Sequence, residues 1–219
     1  FSLCPTDPAS LEFVEGLLDQ LMPCFSSGLV NVGCDETYDI AYGRSKDDVA
    51  LRGRAAVYME YVCKIAGAVR ARGGVPMFWA DIALSHPECI REIPDEMIAL
   101  AWGYEADAKF AEWCGALREA GRRVWVCPGT SSWRSITGRS SESAANIENA
   151  AACALTHGAD GFLLCDWGDT GHWQQWPVAQ LAIAHGAGAS WRAEKPRRDV
   201  GAASLALFGH WVSVGQASG

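Results

Sequence analysis

The sequence predicts an α/β fold on a parallel sheet and, more narrowly, part of a (β/α)8 TIM barrel. Five apolar runs recur along the 219 residues, each followed by a stretch with helical spacing. The runs are continuous rather than alternating, as in strands covered by helices on both faces. No Gly-x-Gly-x-x-Gly follows any run, which disfavours a dinucleotide-binding sheet. A whole barrel takes eight strands and about 250 residues. About five of the eight strand–helix units are therefore present, and the chain reads as the C-terminal part, with the opening strands expected upstream.

Each element has its own signal. Asp7-Pro8 reads as an N-cap and first helical residue. Leu11, Val14, Leu18 and Leu21 continue at helical spacing until Pro23. LVNVG, residues 29–33, is the first strand. Asp47 or Asp48 caps a long helix over about 48–72, stopped by Gly73-Gly74. VPMFWAD (75–81) is the second strand, with a short helix starting near Pro87. MIALAW (97–102) is the third, followed by a helix over 105–121. RVWVCPG (123–129) is the fourth, followed by a helix over 142–158. DGFLLCDWGD (160–169) is the fifth, followed by a helix over about 176–187. Residues 1–192 are the barrel part, and 193–219, with SLALFGHWV as a short helix, form a C-terminal extension.

Composition narrows the partners. Net charge is −8, and no basic block exceeds Lys195–Arg198, so no nucleic-acid partner is expected. No apolar run approaches the ~20 residues of a membrane span. The nine cysteines contain no Cys-x-x-Cys. Most, including Cys63, Cys114, Cys127, Cys153 and Cys165, sit in apolar runs, as buried thiols of a reducing compartment do. A cytoplasmic protein with no metal and no cofactor is the expectation. The chain begins at Phe1 without a signal-like segment. Five strands of a closed barrel leave two unpaired edges, so this stretch alone is expected to aggregate without its upstream part.

Barrel active sites form at the C-terminal ends of the strands. The first strand ends in Cys34-Asp35-Glu36, the second in Trp79-Ala80-Asp81 and the third in Trp102-Gly103-Tyr104-Glu105. The fourth ends in Cys127-Pro128-Gly129-Thr130, with Trp133 just beyond, and the fifth in Trp167-Gly168-Asp169. Three of the five thus end in Trp followed closely by an acid. Core filling accounts for Trp113 and Trp125, inside a helix and a strand. It accounts less well for Trp79, Trp102 and Trp167, whose ring N–H needs a partner when buried. Aromatic planes beside carboxylates suit a sugar, which offers apolar faces and donating hydroxyls. Asp35-Glu36 has a bland reading as a turn acid and a solvated acid. At a strand end, however, the backbone turns and both side chains reach one pocket. Two carboxylates that close cannot ionise independently, so one keeps its proton, which divides them into acid and base for glycoside cleavage.

These residues resemble family 20 glycoside hydrolases, the β-N-acetylhexosaminidases. NVGCDET is similar to the family's strand-four motif, usually His-x-Gly-Gly-Asp-Glu, and MFWAD, ALAWG and CDWGD follow in order. The resemblance runs from residue 3 to about 190. It implies a retaining reaction without an enzyme nucleophile, in which the substrate's 2-acetamido oxygen attacks the anomeric carbon and forms an oxazolinium. Glu36 would then protonate the leaving oxygen and later activate water, and Asp35 would orient the acetamido N–H. Trp79, Trp102 and Trp167 would enclose the sugar, with Trp133 and Asp81 also on substrate. Asp169 would hold hydroxyls where the family usually has Glu. Three departures stand out. The motif His is Asn31, the second Gly is Cys34, and VCPGTSSW lacks the family's acetamido-binding Tyr, leaving Thr130, Ser131 or a residue from a loop as substitutes.

The resemblance implies an exo-acting hydrolase of terminal N-acetylhexosamine. Three other readings compete with it. One is a glycosidase whose nucleophile is a second acid, Asp81 or Asp169, about 5 Å from Glu36. Another is a non-catalytic carbohydrate-binding barrel. The last is a metal-dependent barrel, for which His172 is the only histidine beside the strand ends, whereas His157 suits a helix C-terminus.

Overall fold

The computed structural model describes residues 2–171 and 173–192. The expected C-terminal extension and His172 lie outside them. The elements are α1 (Pro8–Leu21), β1 (Leu29–Asn31), α2 (Lys46–Arg52), α3 (Arg54–Ala71), β2 (Val75–Trp79) and α4 (Asp81–Ser85). After these come β3 (Ile98–Trp102), α5 (Phe110–Glu119), β4 (Arg123–Cys127), α6 (Ser140–His157), β5 (Gly161–Phe162) and α7 (Trp176–Trp191). The strands lie in one sheet in chain order, β1-β2-β3-β4-β5. The β1–β2 and β2–β3 pairs are parallel, with Leu29 opposite Val75 and Met77 opposite Ile98. A parallel sheet in chain order, with helix after each strand, is five consecutive units of a (β/α)8 barrel.

The chain divides into two compact units: residues up to Trp102 with Glu112–Trp125, and Gly103–Ala111 with residues from Val126. In the first, β2 and β3 are almost wholly buried, with Phe78, Ile98 and Leu100 at 0% exposure. That burial is why these strands read as unbroken apolar runs. Leu18, Ala68 and Val69 pack α1 against α3, with Val30 and Val32 of the β1 strand segment against them. In the second unit Ile147, Ala151 and Ala189 join α6 to α7 over Phe162 and Leu164.

Local chemistry moved several boundaries. Asp7 caps α1 as expected, its carboxylate accepting the Ala9 N–H at 3.0 Å. The single helix expected over 48–72 is two, α2 and α3, broken at Gly53, which adopts φ +85°. Ser45 takes the N-cap position, and Asp47 and Asp48 fall in the first turn of α2. The helix expected from 105 begins at Phe110. The carbonyls of Gly103, Glu105 and Ala108 are instead taken by the side-chain amides of Asn146 and Asn149 on α6. β5 is assigned over only two residues, but its pairing runs on. Leu163 N–H donates to Val126 O, Cys165 N–H to Pro128 O and Thr130 N–H to Cys165 O.

Cys89, Cys114, Cys127 and Cys165 are buried, and Cys63 and Cys153 are half-buried. Trp113 and Trp125, expected in the core, are both half-buried. Among the described residues no helix is long and apolar enough to cross a membrane.

Candidate active site

The first unit carries the acid pair. Val32 N–H donates to Met77 O at 2.9 Å and Trp79 N–H to Gly33 O at 3.0 Å, so β1 stays zipped to β2 through Gly33. There the backbone leaves the strand. Gly33, Cys34 and Glu36 adopt positive φ of 74°, 73° and 49°. A left-handed conformation costs a residue with a Cβ roughly 1–2 kcal/mol and persists only where the surroundings over-determine it. Position 34 is where the resembled motif carries its second glycine, and its φ is the physical reason a glycine suits it. Asp35 and Glu36 are both exposed on this turn.

Two buried or half-buried side chains hold the turn. Tyr58, on α3 and 4% exposed, donates its hydroxyl to the Cys34 carbonyl at 2.9 Å. Asp81, at the start of α4, accepts the Glu36 N–H on Oδ2 at 3.0 Å and the Trp102 Nε1–H on Oδ1 at 3.4 Å. Burial raises the Asp81 carboxyl above its ordinary value, the two donated hydrogen bonds oppose that rise, and the Asp35 charge adds to it. Cys34 keeps some surface as a residue, yet burial pushes its thiol up to about 12, with Asp35 and Asp81 adding to the shift. Trp79 is 8% exposed and Trp102 is half-buried. The five expected site residues of this unit, Asp35, Glu36, Trp79, Asp81 and Trp102, therefore sit on consecutive strand ends. Three of them, Glu36, Asp81 and Trp102, form one hydrogen-bonded chain.

The second unit holds Trp133, Trp167 and Asp169. Trp133 is 5% exposed and Trp167 37%, and Asp169 is exposed. Trp167 Nε1–H donates to the Tyr104 hydroxyl at 2.7 Å. The Tyr104 and Trp133 rings meet edge to face, 5.0 Å apart at 81°, the arrangement aromatic quadrupoles favour. Arg139 lies over the Trp133 ring at 5.7 Å and donates to its carbonyl at 2.9 Å. Thr130 and Ser131 are buried at 3% and 0% exposure. The Thr130 hydroxyl lies 2.5 Å from Asp166 Oδ1 and 3.0 Å from the Ser132 hydroxyl, which itself donates to Asp166 Oδ1 at 2.6 Å. Ser131 Oγ is 3.4 Å from the Tyr104 carbonyl.

The α6 helix supports this loop. Asn146, fully buried, accepts the Gly129 N–H at 2.9 Å and donates to the carbonyls of Gly103 and Glu105 at 2.9 and 2.8 Å. Ser143 donates to the Gly129 carbonyl at 3.1 Å. Sequence reasoning passed over Tyr58, Asn146 and Asp166 as site residues. Asp166 had a signal, since it immediately precedes Trp167. Tyr58 and Asn146 had none, because a lone polar residue on a helix does not announce which loop it will meet. Among the described residues no group of three or more His, Cys, Asp or Glu is gathered to hold a metal.

The fold has counterparts. A β-N-acetylhexosaminidase of solved structure superposes with a TM-score of 0.60 at 12% identity, covering 99% of this chain and 51% of that one. A chitobiase of Flavobacterium johnsoniae gives 0.56 at 14% identity, covering 88% and 33%. An exo-β-N-acetylglucosaminidase of Vibrio harveyi, in complex with N-acetylglucosamine, gives 0.52 at 14%, covering 87% and 31%. At such identity the likeness speaks for the fold, and the chain spans 31% to 51% of the length of these proteins. No curated protein matches the chain. The model of the glycosyl hydrolase family 20 catalytic domain matches residues 1–184, a span that includes every strand and every residue of the two clusters above. The chain belongs to glycosyl hydrolase family 20.

Proposed function

We propose that this chain supplies the acid pair and aromatic walls of a retaining exo-β-N-acetylhexosaminidase that uses the substrate's own acetamido group as nucleophile. The supporting observation is the turn after β1, which presents Asp35 and Glu36 together at a strand end in a left-handed backbone held from two sides. In this reading the acetamido oxygen forms its bond to the anomeric carbon as the glycosidic bond breaks. Glu36 gives its proton to the departing oxygen. Asp35 accepts the acetamido N–H and offsets the positive charge that develops on the oxazolinium. Glu36, now a carboxylate, takes a proton from water as that water opens the ring, and ends protonated as it began. The Asp81 oxygens are engaged by the Glu36 and Trp102 N–H groups, which weighs against the rival reading of Asp81 as an enzyme nucleophile.

The test uses the intact protein. It should hydrolyse 4-nitrophenyl N-acetyl-β-glucosaminide and leave the plain glucoside untouched. Glu36→Gln should lose about 10²–10⁴-fold on a chitobiose-like substrate, the range of general acid catalysis, and much less on an aryl glycoside with an acidic phenol. Asp35→Asn should depress both substrates by similar factors, on the order of 10²-fold, as loss of a preorganised electrostatic contact does. Equal losses on both substrates for Glu36→Gln would remove it as the acid. Cleavage of the plain glucoside at a comparable rate would remove the acetamido group as nucleophile.

A further inference from the structure

We infer that Tyr58 and Asp81 are positioning residues that clamp the two peptide groups on either side of Asp35. The inference rests on the acid-pair reading above and goes beyond it by saying what fixes the pair. The Cys34 carbonyl belongs to the peptide entering Asp35, and the Glu36 N–H belongs to the peptide leaving it. Tyr58 holds the first at 2.9 Å and Asp81 the second at 3.0 Å. With both planes held, the direction of the Cα–Cβ bond of Asp35 is set, and so is the start of Glu36. Neither Cys34 nor Glu36 would keep its positive φ without such support.

Both anchors are firm. Tyr58 is flanked along α3 by Val57, Met59 and Val62, all at or below 1% exposure. Asp81 is braced by the Trp102 Nε1–H on its other oxygen. As an ionised carboxylate Asp81 accepts from both donors at once. A neutral amide of the same shape has one acceptor oxygen for two N–H groups. The two clamps also differ in reach. The Asp81 clamp lies next to Glu36, and the Tyr58 clamp lies before Asp35.

The experiment compares Asp81→Ala and Tyr58→Phe in the intact enzyme, with Glu36→Gln and Asp35→Asn as references, on the chitobiose-like and the activated aryl substrate. Misplacement of a catalytic group by about 1 Å can cost about 10²-fold, so kcat should fall about 10–10²-fold while KM moves less than about threefold. Asp81→Ala should follow the leaving-group pattern of Glu36→Gln, losing at least about tenfold more on the chitobiose-like substrate. Tyr58→Phe should follow Asp35→Asn and fall equally on both. Combining Asp81→Ala with Glu36→Gln should cost at least about tenfold less than the product of the single losses.

Losses in full multiplication, with the same pattern for both variants, would overturn the clamp and leave a general structural role. A second readout does not need activity. Amide exchange at Glu36 should be slow in the native protein and at least about tenfold faster in Asp81→Ala; no protection in the native protein would also overturn it. If the reference variants fail to show their own patterns while Glu36 stays protected, the acid-pair reading has failed and the hydrogen bonds have not. Should Asp81→Ala not fold, Asp81→Asn is expected to show the same pattern at smaller size, and an unchanged Asp81→Asn would overturn the proposal.

Discussion

Asn146 gives the sharpest stability prediction, because one side chain satisfies three backbone groups. Its oxygen accepts from Gly129 N–H, and its amide donates to Gly103 O and Glu105 O. Truncation to Ala removes all three bonds, although Glu105 O keeps the Ala108 N–H at 3.1 Å. Gly103 and Gly129 are buried, whereas Glu105 is exposed and its carbonyl can turn to water. Two buried backbone groups are then left without partners, at about 1–3 kcal/mol each. Asn146→Ala should therefore destabilise by about 2–6 kcal/mol, a large part of the ~5–15 kcal/mol that holds a domain together.

Urea denaturation reads this as a lower midpoint at unchanged slope. Asn146→Asp separates hydrogen bonding from shape. One carboxylate oxygen still accepts from Gly129, but the other faces two carbonyl oxygens. The charged form is disfavoured in the fold, so the introduced carboxyl titrates above its unfolded value. The stability of that variant should recover partly as pH falls and the group is protonated to donate to one carbonyl, opposite in sign to an acid-labile ion pair. A loss under about 1 kcal/mol for Asn146→Ala, or an Asn146→Asp variant that weakens on mild acidification more than the wild type, would refute the reasoning.

Two further outcomes are expected. A Cβ on Gly129 would lie 2.6 Å from both Trp133 Cη2 and Tyr104 Cδ1, atoms of rigid rings. Gly129→Ala should thus cost about 1–3 kcal/mol by overpacking, read by thermal melting, and an unchanged melting temperature would contradict the tight fit. Arg72 binds Asp19 through Nε at 2.7 Å and a terminal nitrogen at 3.1 Å, joining the end of α3 to α1. The hydrogen bond from Arg72 holds the Asp19 carboxyl below its ordinary 3.8. The stabilisation is present above that value and lost as pH falls through the lower folded one. The stability gap between wild type and Asp19→Asn should close on acidification; a gap that is constant with pH would show the pair contributes nothing through charge.

The strands were legible because their physics is collective. MIALAW and VPMFW are buried on both faces, and such strands cannot alternate, so every residue of 98–102 votes the same way. The acid pair stood out as a candidate for a related reason: barrel sites form at the C-terminal ends of strands, so strand-end position and the neighbouring Trp residues singled out Asp35, Glu36, Asp81 and Trp102 from many acids and rings. What failed to show was decided by single partners distant in the chain. Gly53 breaks a helix whose periodicity runs through it, because only the φ of +85°, not the pattern, marks the break. Residues 105–109 carry good helical composition but lose their carbonyls to Asn146 and Asn149, about 40 residues on.

The departures from the family motif follow the same division. Cys34 stands where the resembled motif has a glycine and occupies the left-handed conformation that suits a glycine, at a turn that Tyr58 braces by donating to the carbonyl of that residue. The local rule is broken at position 34 and compensated 24 residues later, from a helix with no motif of its own. A sequence read element by element sees the broken rule and not its compensation. That asymmetry predicts where divergent members of a fold will look inactive on paper: at strand ends whose strained backbone is supported from the next helix. Restoring glycine at position 34 would test it in stability rather than chemistry. Cys34→Gly, relieved of the Cβ penalty, should make the loss from Tyr58→Phe smaller than it is in the native background. Equal losses in the two backgrounds would mean the hydroxyl is not what holds the turn.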